Sequence, residues 1–220
     1  MNTRSLAVLG CAFVLGTAGT ALAQHDHSGH DHAGHDHSTH AKDDAAAAAA
    51  AESGFSEEEM AAWMATMMPG EQHKKLEFFV GDWTFVNHSN MGGVETTEEG
   101  TTHCSLMMGG RYLHTMHKGQ SMGMPFEGAG ITGYDNVAGE WFNVWFDNFG
   151  TGVLVSRGQE DENGDVIVTG EMLDPMTNES VGYRMVTKVT GEDTHTFELH
   201  MDSPEGEQRV MEVLYTRVKS

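Results

Sequence analysis

From Gly81 to the C-terminus the chain is a succession of short runs in which apolar and polar residues alternate, cut at close intervals by turn residues. That rhythm, more than anything else in the sequence, limits what the chain can fold into. Strand-like runs fall near 82–89, 95–107, 111–118, 126–134, 140–148, 151–158, 165–173, 181–190, 194–202 and 208–218. Between them stand Gly109-Gly110, Asp135-Asn136, Asn163-Gly164, Asp174-Pro175, Gly191-Glu192 and Pro204-Glu205-Gly206, all turn formers. Side chains on a strand alternate between faces, so Phe197, Leu199 and Met201 share one face, while Glu198, His200 and Asp202 share the other. Roughly ten short strands joined by short turns predict a mainly β, antiparallel up-and-down meander. Closing it into a barrel removes the exposed edges; an open sandwich is the alternative.

Helical signals precede the strands. Ser56 and Glu59 match a capping box, and Phe55 and Met60 match a hydrophobic staple. Met60, Trp63, Met64 and Met67 follow helical spacing and predict one apolar face over 55–68. Pro69-Gly70 stops this helix, and a second short one is expected from Glu71 to Val80. Residues 55–80 thus form a helical lead-in to a β domain over 81–220.

The N-terminus carries Arg4, an apolar stretch from Leu6 to Leu22, and the small-x-small end Ala21-Leu22-Ala23. This predicts a signal peptide over residues 1–23 and a periplasmic or secreted protein. The rival is a lipoprotein acylated at Cys11, which leaves five apolar or small residues before the cysteine. No other stretch is apolar enough for a membrane span. Cleavage leaves Cys104 as the sole cysteine, so no internal disulfide is expected; a small buried hydrophobe on a strand is the plain reading of it. A formal charge of −21 argues against nucleic acid and anionic membranes as partners.

Residues 24–54 have low complexity. His25-Asp26-His27-Ser28-Gly29 recurs as His30-Asp31-His32-Ala33-Gly34 and as His35-Asp36-His37-Ser38-Thr39, and His40 closes the array. Seven alanines, Ala45 to Ala51, follow. With no apolar side chain larger than alanine, the repeat cannot bury a core and is expected to be disordered. Imidazole is the commonest ligand for zinc, copper and nickel. His25, His27, His30, His32, His35, His37 and His40 are therefore candidate ligands for Zn, Cu or Ni in many overlapping weak sites. The competing reading is a solvated spacer.

Within the β region, Gly128-Ala129-Gly130-Ile131-Thr132-Gly133 spells G-x-G-x-x-G, but a turn and another strand follow instead of a helix. A dinucleotide site is excluded, and the glycines are expected where a strand bends or barrel layers crowd. His114 and His117, three apart on a strand, face opposite ways and cannot share an ion. Met107, Met108, Met122 and Met124 are read as packing rather than copper ligands. No nucleophile–base set, metalloprotease helix or P-loop is visible.

Two resemblances can be traced in residues. Gly81-Asp82-Trp83 opening the first strand, with Arg217 near the end, resembles the lipocalin and calycin arrangement, in which a late arginine covers the tryptophan. A broader set is similar to the bacterial domain-of-unknown-function 1579 family over about residues 71–217. It comprises His73-Lys74-Lys75-Leu76, Gly81-Asp82-Trp83, Gly109-Gly110-Arg111-Tyr112-Leu113, Met122 to Gly128, Gly133-Tyr134-Asp135-Asn136, Trp145-Phe146-Asp147, Thr151-Gly152, Asp174-Pro175 and Tyr215-Thr216-Arg217. The resemblance implies a lipocalin-like barrel and no particular activity. The expected function is binding rather than catalysis: metal ions on the tail, a small apolar molecule in the barrel. Arg111, Tyr134, Trp145 and Asp147 are the candidate ligand-binding residues. Arg111, if buried, needs a carboxylate or a ligand anion as acceptor. The alternatives are an enzyme with a site in the barrel mouth, or an inert interaction module.

Overall fold

The computed structural model describes residues 54–91 and 93–219. The expected signal peptide, and all but the last residue of the 24–54 segment, lie outside the described residues.

The first helix, α1 (Glu57–Met67), starts at the predicted capping box: Ser56 Oγ accepts from the Glu59 amide, and the Glu59 carboxylate accepts from the Ser56 amide. Only Met60 of its apolar stripe is buried; Trp63, Met64 and Met67 are exposed. Spacing fixes which face of a helix is apolar and not whether anything covers it. A single helical turn, α2 (Glu71–Lys75), runs into a 3₁₀ turn over Leu76–Phe79.

Ten strands follow: β1 (Gly81–Met91), β2 (Val94–Met107), β3 (Tyr112–Ser121), β4 (Met124–Asp135), β5 (Glu140–Asp147), β6 (Leu154–Glu160), β7 (Val166–Leu173), β8 (Ser180–Gly191), β9 (Thr194–Met201) and β10 (Gln208–Arg217). Each pairs antiparallel with the next, and β10 pairs back onto β1 to close a barrel. Trp83, for example, lies opposite Thr102 on one side and Arg217 on the other. Closure leaves no free edge. The expected strands are all present. β6 starts later than expected, at Leu154, because Thr151–Val153 make no ladder pairs.

Alternation now sorts every strand into inner and outer faces. Hairpins alternate between two ends, and the ends differ. At one end the 3₁₀ turn plugs the barrel: Leu76 is 1% exposed, and Phe78 and Phe79 pack on the core. Trp83 is fully buried there, its indole N–H donating to the Phe79 carbonyl at 2.8 Å. The Arg217 guanidinium sits 4.1 Å from the Trp83 ring centroid and donates to the carbonyls of Phe78 and Val80. The sequence resemblance implied this pairing of arginine and tryptophan. Lys75 on α2 pairs with Glu160 at the end of β6. At the opposite end no helix intervenes among the described residues. There Phe126, Trp145, Leu154, Met172, Val181, Leu199, Met201 and Met211 face inward and yet are only partly buried.

Candidate functional site

An inward-facing side chain can be wetted only through the barrel's interior. The partly buried apolar ring at the open end therefore lines the mouth of the barrel. Its wall is built on glycine. Gly128 and Gly130 of β4 lie under the Trp145 ring of β5: a Cβ at Gly128 would collide with that ring, and one at Gly130 would collide with Thr115 Oγ1 and press on the ring. The expectation that the G-x-G-x-x-G glycines thin a crowded strand therefore holds at these positions. Phe126 stacks between Trp145 and Phe149, with centroids 6.5 and 5.8 Å away, and carries the aromatic wall to the rim. Trp145 donates its indole N–H to Asp147 Oδ2 at 2.9 Å, and Asp147 Oδ1 accepts from the Phe149 amide. Asp147 thus fixes the rim of the wall, with both carboxylate oxygens engaged.

Below the aromatic wall a polar layer crosses the barrel. His117 of β3 and Tyr215 of β10 meet through Nε2 and Oη at 3.0 Å, although β1 and β2 stand between them in the wall. His195 stacks on Tyr215 with parallel rings 4.2 Å apart. Thr102 is the ladder partner of His117. Thr102 Oγ1, His117 Nδ1, His195 Nδ1 and Asn87 Oδ1 are all buried without a hydrogen-bond partner in the protein. Such orphans are uncommon in folded interiors and call for a partner from outside the chain.

Burial keeps the titratable groups of this layer in their neutral forms. Burial pulls the His117 pKa down from 6.5 to about 4. Burial, helped by His117 and Arg217, takes His195 to about 3. Burial also raises the Tyr215 phenol, and lifts the Cys104 thiol to about 12, so that thiol is inert packing. Both imidazoles are neutral at pH 7. The tyrosine proton has its acceptor if Tyr215 donates to Nε2, which puts the His117 proton on Nδ1, pointing at no protein partner.

Stability should respond to these two histidines. Each has a folded pKa below its unfolded one, so the unfolded chain takes up protons first as pH falls, and stability drops between pH 6.5 and about 4. For His117 alone the loss is on the order of 3 kcal/mol. Thermal unfolding followed at pH 7 and pH 4.5 should show a clearly smaller acid-induced drop in the His117→Leu variant than in the wild type. Equal drops would remove the neutral-histidine description.

The four candidate ligand-binding residues separate. Trp145 and Asp147 come together at the open end. Arg111 and Tyr134 lie at the closed end, where Tyr134 packs against Trp141 and His73. Arg111 is partly buried and forms no ion pair with a carboxylate among the described residues. Its guanidinium donates to the carbonyls of Met67, at the end of α1, and Met108. A helix C-terminus leaves its last carbonyls unpaired, so it is a ready set of acceptors for an arginine. With Asn136, which donates to the Thr66 and Met68 carbonyls, Arg111 clamps α1 to the barrel. Both residues line an outer concavity of about 390 Å³ beside the clamp. His114 and His117 face opposite ways, as expected, and among the described residues no group of three or more His, Cys, Asp or Glu is placed to hold a metal ion. The seven tail histidines lie outside the described residues. Among the described residues no helix is long and apolar enough to cross a membrane.

Fold and site define a closed ten-stranded antiparallel barrel, plugged at one end and open at the other, with an apolar wall over a neutral polar layer. The chain belongs to the DUF1579 family, described as proteins of unknown function, whose profile matches residues 68–217. No curated protein matches it. Among solved structures it is similar to Rv2717c from M. tuberculosis, with 14% identity and a TM-score of 0.53 over 69% of this chain and all of that one. It is also similar to the S-type phycobiliprotein lyase CPES from Guillardia theta, with 10% identity and a TM-score of 0.49 over 68% of this chain and 93% of that one. At these identities the likeness is one of fold.

Proposed function

We propose that this is an exported binding protein in two parts: a lipocalin-like barrel that takes up a small apolar molecule through its open end, and a histidine-rich tail that binds Zn, Cu or Ni. The observation that carries the barrel reading is the ring of inward-facing apolar side chains that solvent still reaches. A carrier needs a concave, largely apolar and preformed site with a few polar groups that fix orientation. The wall from Phe126 to Trp145 supplies the first, and the layer at His117 the second. The tail reading rests on ligand density, with imidazoles and aspartates alternating over residues 25–40. Export rests on the signal-peptide pattern over residues 1–23.

Binding is favoured over catalysis by the state of the interior. His117 and His195 have been pushed far below the pH at which a general base works best, and Cys104 far above the range of a thiolate nucleophile. The barrel reading is tested on protein recovered from the exported fraction, extracted with organic solvent and analysed by mass spectrometry. A stoichiometric small molecule, absent from an extract of the unfolded chain, is the expected result. An empty extract, together with failure to take up any apolar probe, would reduce the barrel to an interaction module.

A further inference from the structure

The inner face decides which end group a ligand can bury, and the deciding fact is the placement of its charges. Among the described residues, the one inward-facing cation is Arg217, at the plugged end. It is already held by the Phe78 and Val80 carbonyls and by Asp193. The inward-facing carboxylates are Glu160, paired with Lys75 at that same end, Asp147, holding Trp145 and the Phe149 amide at the rim, and Glu98 of β2, the ladder partner of Asn87, which accepts from the Met122 amide in the turn after β3. Lys118, Arg157, Arg184 and Lys188 lie on the outer face in ion pairs with other surface residues. Among the described residues no cation other than Arg217 faces inward on the strands. The wall does offer Thr102, 4% exposed with a free hydroxyl, His117 with a free ring nitrogen, and Asn87 with a free carbonyl oxygen. These lie on β2, β3 and β1, three adjacent strands: Thr102 is the ladder partner of His117 in the His117–Tyr215 bridge, and Asn87 lies two positions toward the open end from Phe85, the ladder partner of Tyr215.

Resting on the carrier reading, we propose that the barrel selects ligands whose buried end is an uncharged hydrogen-bonding group, an alcohol or a carbonyl, on an apolar body, and that Thr102 and His117 are the residues that select it. A hydroxyl or carbonyl oxygen accepts from the free donors of this layer, and a hydroxyl can also donate to Asn87. A carboxylate of the same length would arrive desolvated and without a counter-ion, which costs more than its hydrogen bonds return. An ammonium head fares no better, because Glu160 and Asp147 are engaged at the two ends and Glu98 already accepts from the Met122 amide. The preference is thus written by the absence of a free cation in the layer together with buried polar atoms that lack partners.

The test uses the mature chain at pH 7.5 with the uncharged fluorophore N-phenyl-1-naphthylamine bound, and displaces it with 1-decanol or with decanoate. Decanol should displace the fluorophore at about tenfold lower concentration, the ratio corresponding to one neutral hydrogen bond. Thr102→Val keeps the shape of the side chain and removes the hydroxyl; His117→Leu removes the ring nitrogens. Each should bring the two displacement curves together by weakening decanol and leaving decanoate in place. Thr102→Val should melt at or above the wild-type temperature, because it deletes an unpaired buried group. If decanoate displaces as well as decanol, or if both variants keep the wild-type ratio, the head-group assignment is wrong while the carrier reading stands. If the fluorophore itself does not bind, the carrier reading fails first.

Discussion

Trp83→Ala should destabilise the barrel by roughly 3–5 kcal/mol, the largest single-residue effect expected in this fold. The size follows from what the indole touches. It is fully buried and lies under the Arg217 guanidinium. It meets the edge of His195 at 4.5 Å and leans on Phe78. Removing it opens a cavity at the plug and deprives Arg217 of its aromatic face. The Phe79 carbonyl also loses its indole donor. For a domain of this size each kcal/mol moves the melting temperature by about 2–4 °C, so thermal unfolding by circular dichroism should show a fall on the order of 10 °C. A shift within a degree or two would mean that the plug, and not the tryptophan, holds that end of the barrel. Arg217→Lys should cost less than the tryptophan change, since a lysine retains the charge and loses the flat stack and the forked donation to two carbonyls.

The second large effect concerns metal. Seven histidines and three aspartates within residues 25–40 give a high local density of ligands. An ion in tetrahedral coordination takes about four donors, so one tail should hold one or two ions at a time. Two chains separate the tail from the barrel: one beginning at Gln24, the other at Ser53. Isothermal titration with Zn, Cu and Ni at pH about 7.5 should show binding to the first and almost none to the second. Only neutral imidazole coordinates and free histidine titrates near pH ~6.5, so binding by the longer chain should fade toward pH about 5.5. Both chains should melt at nearly the same temperature without metal. Equal metal binding by the shorter chain would place the ligands in the barrel and overturn the tail assignment.

The strands were legible because their signals are local. Period-two alternation and turn residues such as Asn163-Gly164 act over a few positions, and the observed ladders follow them. The capping box at Ser56 and Glu59 is local too. The polar layer was not legible, because His117 and Tyr215 are 98 residues apart and meet only once the barrel closes with its register. One signal was available: continuing the alternation of Phe197, Leu199 and Met201 back by two puts His195 on the apolar face. The partners of Arg111 were hidden for a related reason. A glycine pair followed by arginine reads as a site, but the acceptors that hold it are carbonyls at the end of a helix whose docking position no spacing rule gives.

Two neighbouring residues test whether the open end of this barrel admits an apolar ligand. Leu154 and Val155 begin β6 and point to opposite faces: Leu154 inward beside Trp145, Val155 outward and 52% exposed. Titration with N-phenyl-1-naphthylamine should give one saturable site per chain in the wild type. Leu154→Glu, which places a charge in the apolar mouth, should abolish that site. Val155→Glu, one residue away, should bind as the wild type does, with both variants folded by circular dichroism. Wild-type binding in the Leu154→Glu variant, or equal loss in both, would contradict a ligand site inside the barrel.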